Sequence, residues 1–354
     1  MSDSFVCRSS RVFGALPGTL PGTLPGTLLG TLPGTLLGAL LLAVCTGGAL
    51  AQTTDAWPAR PVRVVVPYAA GAMGDVVIRR LAEGMRAELG QTVVVDNRPG
   101  AGGNIGTRAV EQAAADGYTV LLAATNNLVI NQFLYKDLGF DPLKRFDAVT
   151  VLVDVPSVLF TPASVPAAGF REFVTWARAN PGKVNYGSPG SGTATHLAGE
   201  LINKTFNLGM THVPYKGAGA VITALLGGEV QFFLGGAGLG AAHVKAGKLR
   251  ALAAAAKTRL DALPDTPTFA EAGLGAVSAG NWWGLAVPAG TPKAVIERLH
   301  AAVCKTLAEP QTRAAMTQLG NVNVCNTPAD MQRQLTEEAT GWQRTLPGLG
   351  VKIE

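Results

Sequence analysis

The clearest pattern of hydrophobic and polar positions lies between Val62 and Leu89. A β-branched run from Val62 to Pro67 predicts a strand that is buried on both faces. A glycine-bearing turn leads from this strand into a helix that Asp75 opens. Apolar residues recur at every fourth position of the helix, which predicts one buried face: Val77, Leu81, Met85 and Leu89. Because first-turn N–H groups have no partner within their helix, this stretch predicts a site for a small carboxylate.

The same strand, turn and helix pattern recurs in the middle of the chain. Val184–Gly187 is the predicted strand, Ser188–Gly192 the glycine-rich turn and Thr193–Phe206 the helix. Strands and helices alternate on both sides of this unit, which is typical of parallel sheets with right-handed crossovers. We therefore expect an α/β fold of two lobes, in which each lobe is a mostly parallel sheet flanked by helices.

Two apolar segments are expected to carry the chain between the lobes. Ala148–Phe160 marks the first crossing, and Asn281–Val287 marks the return. We expect residues 52–156 and 283–354 to form the first lobe and residues 157–282 the second. Two tryptophans lie at the return crossing, and the sequence leaves open whether one of them packs in the hinge or lines the cleft: Trp282 and Trp283. Two Thr-Pro pairs predict helix starts with threonine as the N-cap, at Thr291 and at Thr327.

The N-terminal segment has the pattern of a secretory signal peptide. A short basic region precedes an apolar run that is too short to cross a bilayer, and a small-x-small cleavage pattern ends at Ala51. This predicts a signal peptide over residues 1–51, a mature chain that starts at Gln52, and a periplasmic location. Cys45 resembles a lipoprotein site, but the valine before it is a poor match, so we expect no lipid anchor.

Composition restricts the classes of function. The 354 residues are 47% apolar and 15% charged, which indicates a globular chain of two domains. The net charge of +5 is scattered without a lysine-rich run, so we do not expect nucleic-acid binding. Cys304 and Cys325 remain after the signal peptide, and they form either a disulfide, which we favour in an exported chain, or two buried thiols. No histidine cluster accompanies them in sequence, so we expect no metal site and no cofactor.

A series of short motifs spans residues 56–354 in a fixed order. They are Trp57–Pro61 (WPARP), Asp96–Gly106 (DNRPGAGGNIG), Asp116–Tyr118 (DGY), His196–Glu200 (HLAGE), His212–Gly217 (HVPYKG), Leu225–Gly228 (LLGG), Lys245–Leu252 (KAGKLRAL), Leu263–Gly273 (LPDTPTFAEAG) and Pro288–Pro292 (PAGTP). In these motifs the chain resembles the Bug or TctC type of extracytoplasmic solute receptor, which serves tripartite tricarboxylate transporters. The resemblance implies a type II periplasmic-binding-protein fold and no catalysis. It also implies a small organic acid or acidic amino acid as ligand, permease subunits as partners, and a monomer.

The resemblance also implies a set of ligand-binding positions. They lie on the strand-to-helix turns of the two lobes and on segments that border the cleft. The predicted residues are Tyr68, Ala70, Gly71, Ala72, Met73, Gly74, Asp75, Asn126, Asn127, Ser188, Gly190, Ser191, Gly192, Thr193, His196, Tyr215, Lys216, Gly217 and Gly235.

The chain departs from the family pattern at two of these places. Ala72 and Met73 stand where the family usually has glycines, and Gly74 stands where it has a hydroxyl. After the strand at Val230–Leu234, Gly235 and Gly236 replace a frequent acidic residue and asparagine. These changes favour a ligand with a more apolar body.

Parts of the sequence suggest two other functions and one cofactor site. A receptor that feeds a signalling sensor has the same expected fold. A serine hydrolase that uses Ser191 and His196 is disfavoured, because Pro189 stands where a nucleophile elbow needs glycine. The glycines of Gly100–Gly106 do not have the dinucleotide-binding spacing. The remaining histidines, among them His212 and His300, are expected to be ordinary core or surface residues.

Overall fold

The computed structural model describes residues 57–275, 277 and 279–351. The predicted signal peptide, its cleavage position and Cys45 lie outside the described residues. Across the described part of the chain, no helix combines the length and the apolar character that a membrane span needs.

The elements alternate along the chain as the hydrophobic pattern predicts. The strands are β1 (Val62–Val66), β2 (Val93–Asn97), β3 (Thr119–Ala124), β4 (Phe146–Asp154), β5 (Ser157–Pro162), β6 (Asn185–Ser188), β7 (Thr211–Pro214), β8 (Phe232–Gly236), β9 (Leu249–Ala255), β10 (Trp282–Pro288) and β11 (Val322–Asn323). The α-helices are α1 (Met73–Leu89), α2 (Asn104–Glu111), α3 (Asn131–Leu134), α4 (Pro142–Arg145), α5 (Phe170–Arg178), α6 (Ala194–Thr205), α7 (Ala218–Leu226), α8 (Ala237–Lys245), α9 (Lys293–Ala308), α10 (Pro310–Gln318) and α11 (Pro328–Leu349). A 3₁₀ turn at Ala101–Gly103 precedes α2, and a π-helical segment at Thr125–Ile130 precedes α3.

The strands form two sheets, each of which is the centre of one lobe. Lobe 1 has the strand order β11-β4-β10-β3-β1-β2, and lobe 2 has the order β7-β6-β8-β5-β9. The two-lobe α/β fold is confirmed, with sheets that are mixed: β10 and β11 in lobe 1 and β5 in lobe 2 run against the other strands of their sheets. β1, β2 and β3 pair in parallel, as do β6, β7 and β8, whereas β4, β5, β9, β10 and β11 pair antiparallel to their neighbours. A strand covered on both faces is apolar in either direction, so its composition does not show which way it runs.

Helices cover both faces of each sheet and enclose separate cores. In lobe 1, α1 and α9 pack on one face, where Leu81 and Leu299 are fully buried, and α11 covers the other face with Trp342. In lobe 2, Phe173 and Phe232 belong to the core on one face of the sheet, and a smaller cluster fills the other. The periodic apolar positions of the sequence therefore face these cores, as expected for amphipathic helices.

The two passages between the sheets lie side by side. β4 ends at Asp154 and β5 begins at Ser157 in the other sheet, and β10 returns the chain to lobe 1. The Val155 N–H donates to the carbonyl of Asn281 at 2.8 Å, which joins the two passages directly. The lobe boundaries assigned from the sequence stay a proposal.

The local helix predictions have mixed outcomes. Thr327 caps α11 as predicted, since its hydroxyl accepts from the Asp330 N–H. The prediction for Thr291 is wrong, because its hydroxyl donates to the carbonyl of Pro288 and α9 begins two residues later. The sequence did not predict α8 or α10, whose apolar residues show little helical periodicity.

Candidate functional site

A cavity of about 670 Å³ occupies the cleft between the two sheets. Residues of both lobes line it. Four helices begin at its wall, namely α1 from lobe 1 and α6, α7 and α8 from lobe 2. Helix N-termini carry partial positive charge and outward-pointing N–H groups. Their convergence makes the cavity favourable for a negatively charged ligand.

The turn between β1 and α1 forms the lobe 1 wall. Gly71 has a positive φ of 81°, whereas Ala72 has a φ of −65° that any residue adopts. The turn therefore needs glycine at Gly71 but not at the next two positions, which explains why Ala72 and Met73 fit. No side chain caps α1 at Ala72.

Asp75 supports this turn from behind. Its buried carboxylate accepts from the Gly71 N–H at 2.8 Å, from Arg79 Nε at 2.9 Å and from Asn97 Nδ2 at 2.9 Å. Burial opposes the ionisation of Asp75, but hydrogen bonds from Arg79, Gly71 and Asn97 outweigh it and hold the pKa of the carboxyl below its usual value. Asp75 does not line the cavity. Its hydrogen bonds hold the conformation of the turn between β1 and α1, which does line it.

Asn126 bridges the two lobes at the edge of the cavity. It belongs to lobe 1, but its Nδ2 donates to the carbonyl of Gly192 at 2.9 Å and its Oδ1 accepts from the Ala194 N–H at 3.1 Å. One side chain from lobe 1 therefore satisfies an N–H in the first turn of α6 in lobe 2. On the same helix, Lys204 Nζ donates to the carbonyl of Gly348 at 2.9 Å, near the end of α11 in lobe 1.

Two aromatic rings lie over glycines beside the cavity. A Cβ on Gly74 would stand 2.7 Å from the six-membered ring of Trp283, and a Cβ on Gly235 would overlap the ring of Phe233. Both positions are too close to a ring for a real side chain, so each ring occupies space that only glycine leaves free. Trp283 also makes an edge contact with Tyr68, with ring centroids 5.2 Å apart.

The two tryptophans at the return crossing have different environments. Trp282 is fully buried in lobe 1, and its Nε1 donates to the Glu338 carboxylate at 3.0 Å. Trp283 lines the cavity. Trp283 therefore matches the cleft-lining alternative, and Trp282 packs inside lobe 1.

A second cavity of about 300 Å³ adjoins the first. Tyr68, Asn126 and Thr193 line both. Burial raises the pKa of the Tyr68 hydroxyl, so this group stays a neutral hydrogen-bond donor. The cleft thus has two adjoining chambers, and a tyrosine and an asparagine line both of them.

The predicted site residues divide into two groups. Those that line one or both cavities are Tyr68, Ala70, Gly71, Ala72, Met73, Asn126, Gly190, Ser191, Gly192, Thr193, Lys216, Gly217 and Gly235. Those that line neither are Gly74, Asp75, Asn127, Ser188, His196 and Tyr215. Sequence reasoning missed most of the apolar wall, which includes Val76, Val155, Phe233, Leu239 and Leu319.

Among the predicted residues that line neither cavity, Asn127 and His196 form hydrogen bonds that hold the neighbouring turns in place. Asn127 accepts from the Ala124 N–H at 2.7 Å and donates to Thr107 Oγ1 at 2.9 Å, within lobe 1. His196 differs from the cleft-facing residue that the sequence predicted, because it is 5% exposed and its Nδ1 accepts from the Gly192 N–H at 2.9 Å. It fixes the lobe 2 turn as Asp75 fixes the lobe 1 turn.

His212, which was expected to be an ordinary core or surface histidine, is half-buried and packs against His196. Its ring stacks on that of His196 with centroids 3.7 Å apart, and its Nε2 lies 2.7 Å from Ser188 Oγ. Burial, followed by the neighbouring His212, lowers the pKa of His196 to about 4. Burial also lowers the pKa of His212. Ser188 is fully buried, so this serine–histidine contact offers no nucleophile to a substrate. Among the described residues, Ser191 and His196 form no hydrogen bond with each other.

Cys304 and Cys325 are paired as a disulfide, with Cα atoms 5.6 Å apart, a spacing that disulfides commonly have. His300, which was expected to be an ordinary core or surface residue, lies beside the pair with its Nε2 3.4 Å from Cys304 Sγ. These three residues are the one group with metal-ligand spacing that the described residues contain. Because both sulfurs are joined to each other, the group has no free thiolate for a metal.

Comparison with known proteins gives the family. A model described as the tripartite tricarboxylate transporter family receptor matches residues 77–350. The chain belongs to this family. A relative in Pseudomonas sp. (strain P51), named for its position in the tcbD-tcbE intergenic region, is 35% identical over 306 residues, which cover 86% of this receptor and 91% of the relative.

Solved structures of similar proteins agree with this assignment. The periplasmic binding protein BugD is 34% identical and superimposes with a TM-score of 0.74, covering 84% of this receptor and 100% of BugD. A protein of R. palustris that was solved with adipate is 30% identical, with a TM-score of 0.76, covering 84% and 99% of the two chains. The tripartite tricarboxylate transporter receptors are periplasmic solute-binding proteins, which are exported, and they are not a family of enzymes.

Proposed function

We propose that this receptor captures a small organic carboxylate in the interlobe cavity and delivers it to the permease of a tripartite tricarboxylate-type transporter. The observation that carries the proposal is the convergence of four helix N-termini on one cavity between two lobes. Such termini stabilise a carboxylate by hydrogen bonds and by the helix dipole. The similar protein of R. palustris that was solved with adipate supports the same class of ligand.

The ligand joins the two lobes in this proposal. It contacts the Tyr68–Met73 turn of lobe 1 and the Lys216–Gly219 segment of lobe 2, while the paired passages at Val155 and Asn281 act as the hinge. A ligand that binds the closed form more tightly than the open form shifts the protein towards closure. The closed form is then the state that the permease recognises. Binding without chemical change is sufficient for this function, and no residue is assigned a catalytic role.

The proposal includes export of the receptor to the periplasm with cleavage after Ala51, so that Gln52 becomes the first mature residue. It includes no lipid anchor at Cys45. Mass spectrometry of the protein isolated from the periplasm tests this point directly, because cleavage after Ala51 and lipidation at Cys45 give different masses.

Calorimetry and thermal shift with the mature protein test the binding function. The panel contains organic acids of one to three carboxylates and the uncharged amide of each. We expect at least one acid to bind and to raise the melting temperature with concentration, since a ligand of the native state stabilises it by mass action. If no acid binds and the protein hydrolyses an ester or a peptide, the receptor function is refuted in favour of a hydrolase.

Delivery to a permease needs a separate test in cells. Deletion of the gene is expected to abolish uptake of the acid that the purified protein binds, and a copy that carries Lys216→Gln is expected to restore uptake less well than wild type. Normal uptake in the deletion strain, with loss of a transcriptional response to the acid, would favour the sensor-coupled receptor.

A further inference from the structure

Two histidines behind the lobe 2 turn hold it in the conformation that lines the cleft. The Gly192 N–H donates to His196 Nδ1 at 2.9 Å, and His212 Nε2 lies 2.7 Å from Ser188 Oγ. The same hydroxyl donates to the carbonyl of Gly190 at 2.9 Å. Both ends of the turn therefore depend on the histidine pair, and the contact at His196 requires an unprotonated ring nitrogen.

The same turn binds the lobe 1 side chain that bridges the cleft. The carbonyl of Gly192 accepts from Asn126 Nδ2 at 2.9 Å, and the Ala194 N–H donates to Asn126 Oδ1 at 3.1 Å. Gly192 is thus bonded to His196 through its N–H and to Asn126 through its carbonyl. These two groups belong to the rigid peptide planes on either side of one Cα. A rotation that breaks the first bond therefore disturbs the second.

The groups packed around His196 disfavour a proton on its ring. His212 from β7 stacks on it with centroids 3.7 Å apart, and Tyr186 from β6 lies at 6.3 Å. Glu200 of α6 faces the pair, but its carboxylate already accepts from Tyr186 Oη at 2.6 Å. β8 and the π-helical segment, which also contact α6, contain no titratable residue, and α11 contacts α6 at Lys204. Burial, followed by the neighbouring His212, lowers the pKa of His196 to about 4.

We propose that protonation of His196 opens the Asn126 bridge and separates the lobes at the cavity. A neutral imidazole has one donor and one acceptor nitrogen, so a second proton enters at Nδ1, the nitrogen that accepts from Gly192. Two donors then face each other. The turn moves to separate them, and the Gly192 carbonyl moves away from Asn126. Lys204 still joins the far end of α6 to α11, so the opening is confined to the cavity end of the helix.

This inference rests on the proposed carboxylate-binding function and adds a regulation of the same site. Asn126 and the residues from Gly190 to Thr193 line the chambers of the cleft. Low pH then favours an open cleft and release of the ligand. His196 lines neither chamber and acts through Gly192, so it is a positioning residue.

Amide hydrogen exchange of the ligand-free mature protein, measured by NMR between pH 7 and pH 4.5, tests the proposal. Each rate is compared with that of an unstructured peptide at the same pH, which gives the protection factor. If the pKa of His196 rises from about 4 to 6.5 when the turn opens, the opening constant increases about fiftyfold over this range. We expect the protection of Gly192 and Ala194 to fall by this factor in wild type. The protection of Leu201, in the middle of α6, is expected to stay unchanged.

Three variants separate the histidine from the bridge. His196→Asn offers the Gly192 N–H an acceptor that does not titrate, so the protection of Gly192 and Ala194 is expected to be the same at both pH values. His243→Asn, a matched histidine removal outside the pair, is expected to behave as wild type. Asn126→Ala is expected to lose the protection of Ala194 already at pH 7.

Three results would overturn the proposal. The first is an equal loss of protection in wild type and His196→Asn, and the second is protection of Ala194 that survives low pH in wild type. The third is an equal loss at Leu201, which would mean that α6 unfolds as a whole. These measurements need no ligand. If the cleft opens at low pH but no organic acid binds in the calorimetric panel, the proposed function is refuted and the opening remains.

Discussion

Acidification is expected to destabilise the protein through the stacked histidine pair of lobe 2. His196 is buried, its ring lies 3.7 Å from that of His212, and its Nδ1 accepts from the Gly192 N–H. The remaining charged group near the pair is Glu200, whose carboxylate accepts from Tyr186 Oη at 2.6 Å. A second proton on His196 has to enter at Nδ1. It therefore removes the hydrogen bond to the turn and places a charge in a buried site.

The direction and size of the stability change follow from the pKa of His196. It falls from an ordinary 6.5 to about 4 in the folded protein. Between these values the unfolded chain binds the proton and the folded chain does not. The contribution of neutral His196 to the free energy of unfolding is therefore fully present above pH 6.5 and is lost as the pH falls towards 4. A shift of this size corresponds to about 3 kcal/mol. The lowered pKa of His212 acts in the same direction.

Urea unfolding between pH 7 and pH 4 measures this loss. We compare wild type with His196→Asn, in which an amide oxygen accepts the Gly192 N–H without titrating, and with His243→Asn as a matched histidine removal outside the pair. Carboxylates contribute equally to all three proteins. Wild type and His243→Asn are expected to lose about 3 kcal/mol more than His196→Asn over this range. An equal loss in all three proteins would refute the argument.

Three further perturbations test other parts of the fold. Joint replacement of Cys304 and Cys325 by serine is expected to lower the free energy of unfolding by about 3 kcal/mol, the chain-entropy value for the loop between them; an unchanged urea midpoint would contradict it. Asn126→Ala removes the two hydrogen bonds that Asn126 makes to lobe 2 and is expected to increase the radius of gyration measured by small-angle scattering, whereas an unchanged radius would show that other contacts, such as that of Lys204 with Gly348, hold the lobes together. Asp75→Ala leaves the Gly71 N–H and the Arg79 guanidinium without their shared acceptor, and we expect a loss of about 1–3 kcal/mol in thermal unfolding; a stability equal to wild type would refute this role.

The sequence by itself determined the alternation of elements and the places where the chain turns. The apolar period of four in α1 and the β-branched runs of β1 and β4 are local signals, because they record which face of each element is buried. The glycine-rich turns before α1 and α6 are also local, and they located the two walls of the cleft. The ordered motifs were sufficient to identify the family, because order and spacing along the chain survive without a structure.

The tertiary structure decided what these turns are able to bind. Which N–H groups stay open depends on side chains that arrive from elsewhere, such as Asn126 at the start of α6. The apolar wall depends on rings that pack over glycines, in one case more than 200 positions away along the chain, at Gly74 and Trp283. The pairing of His196 with His212 and the antiparallel direction of β10 have the same origin. Each is a contact between distant segments, and no local pattern of hydrophobic and polar residues records it.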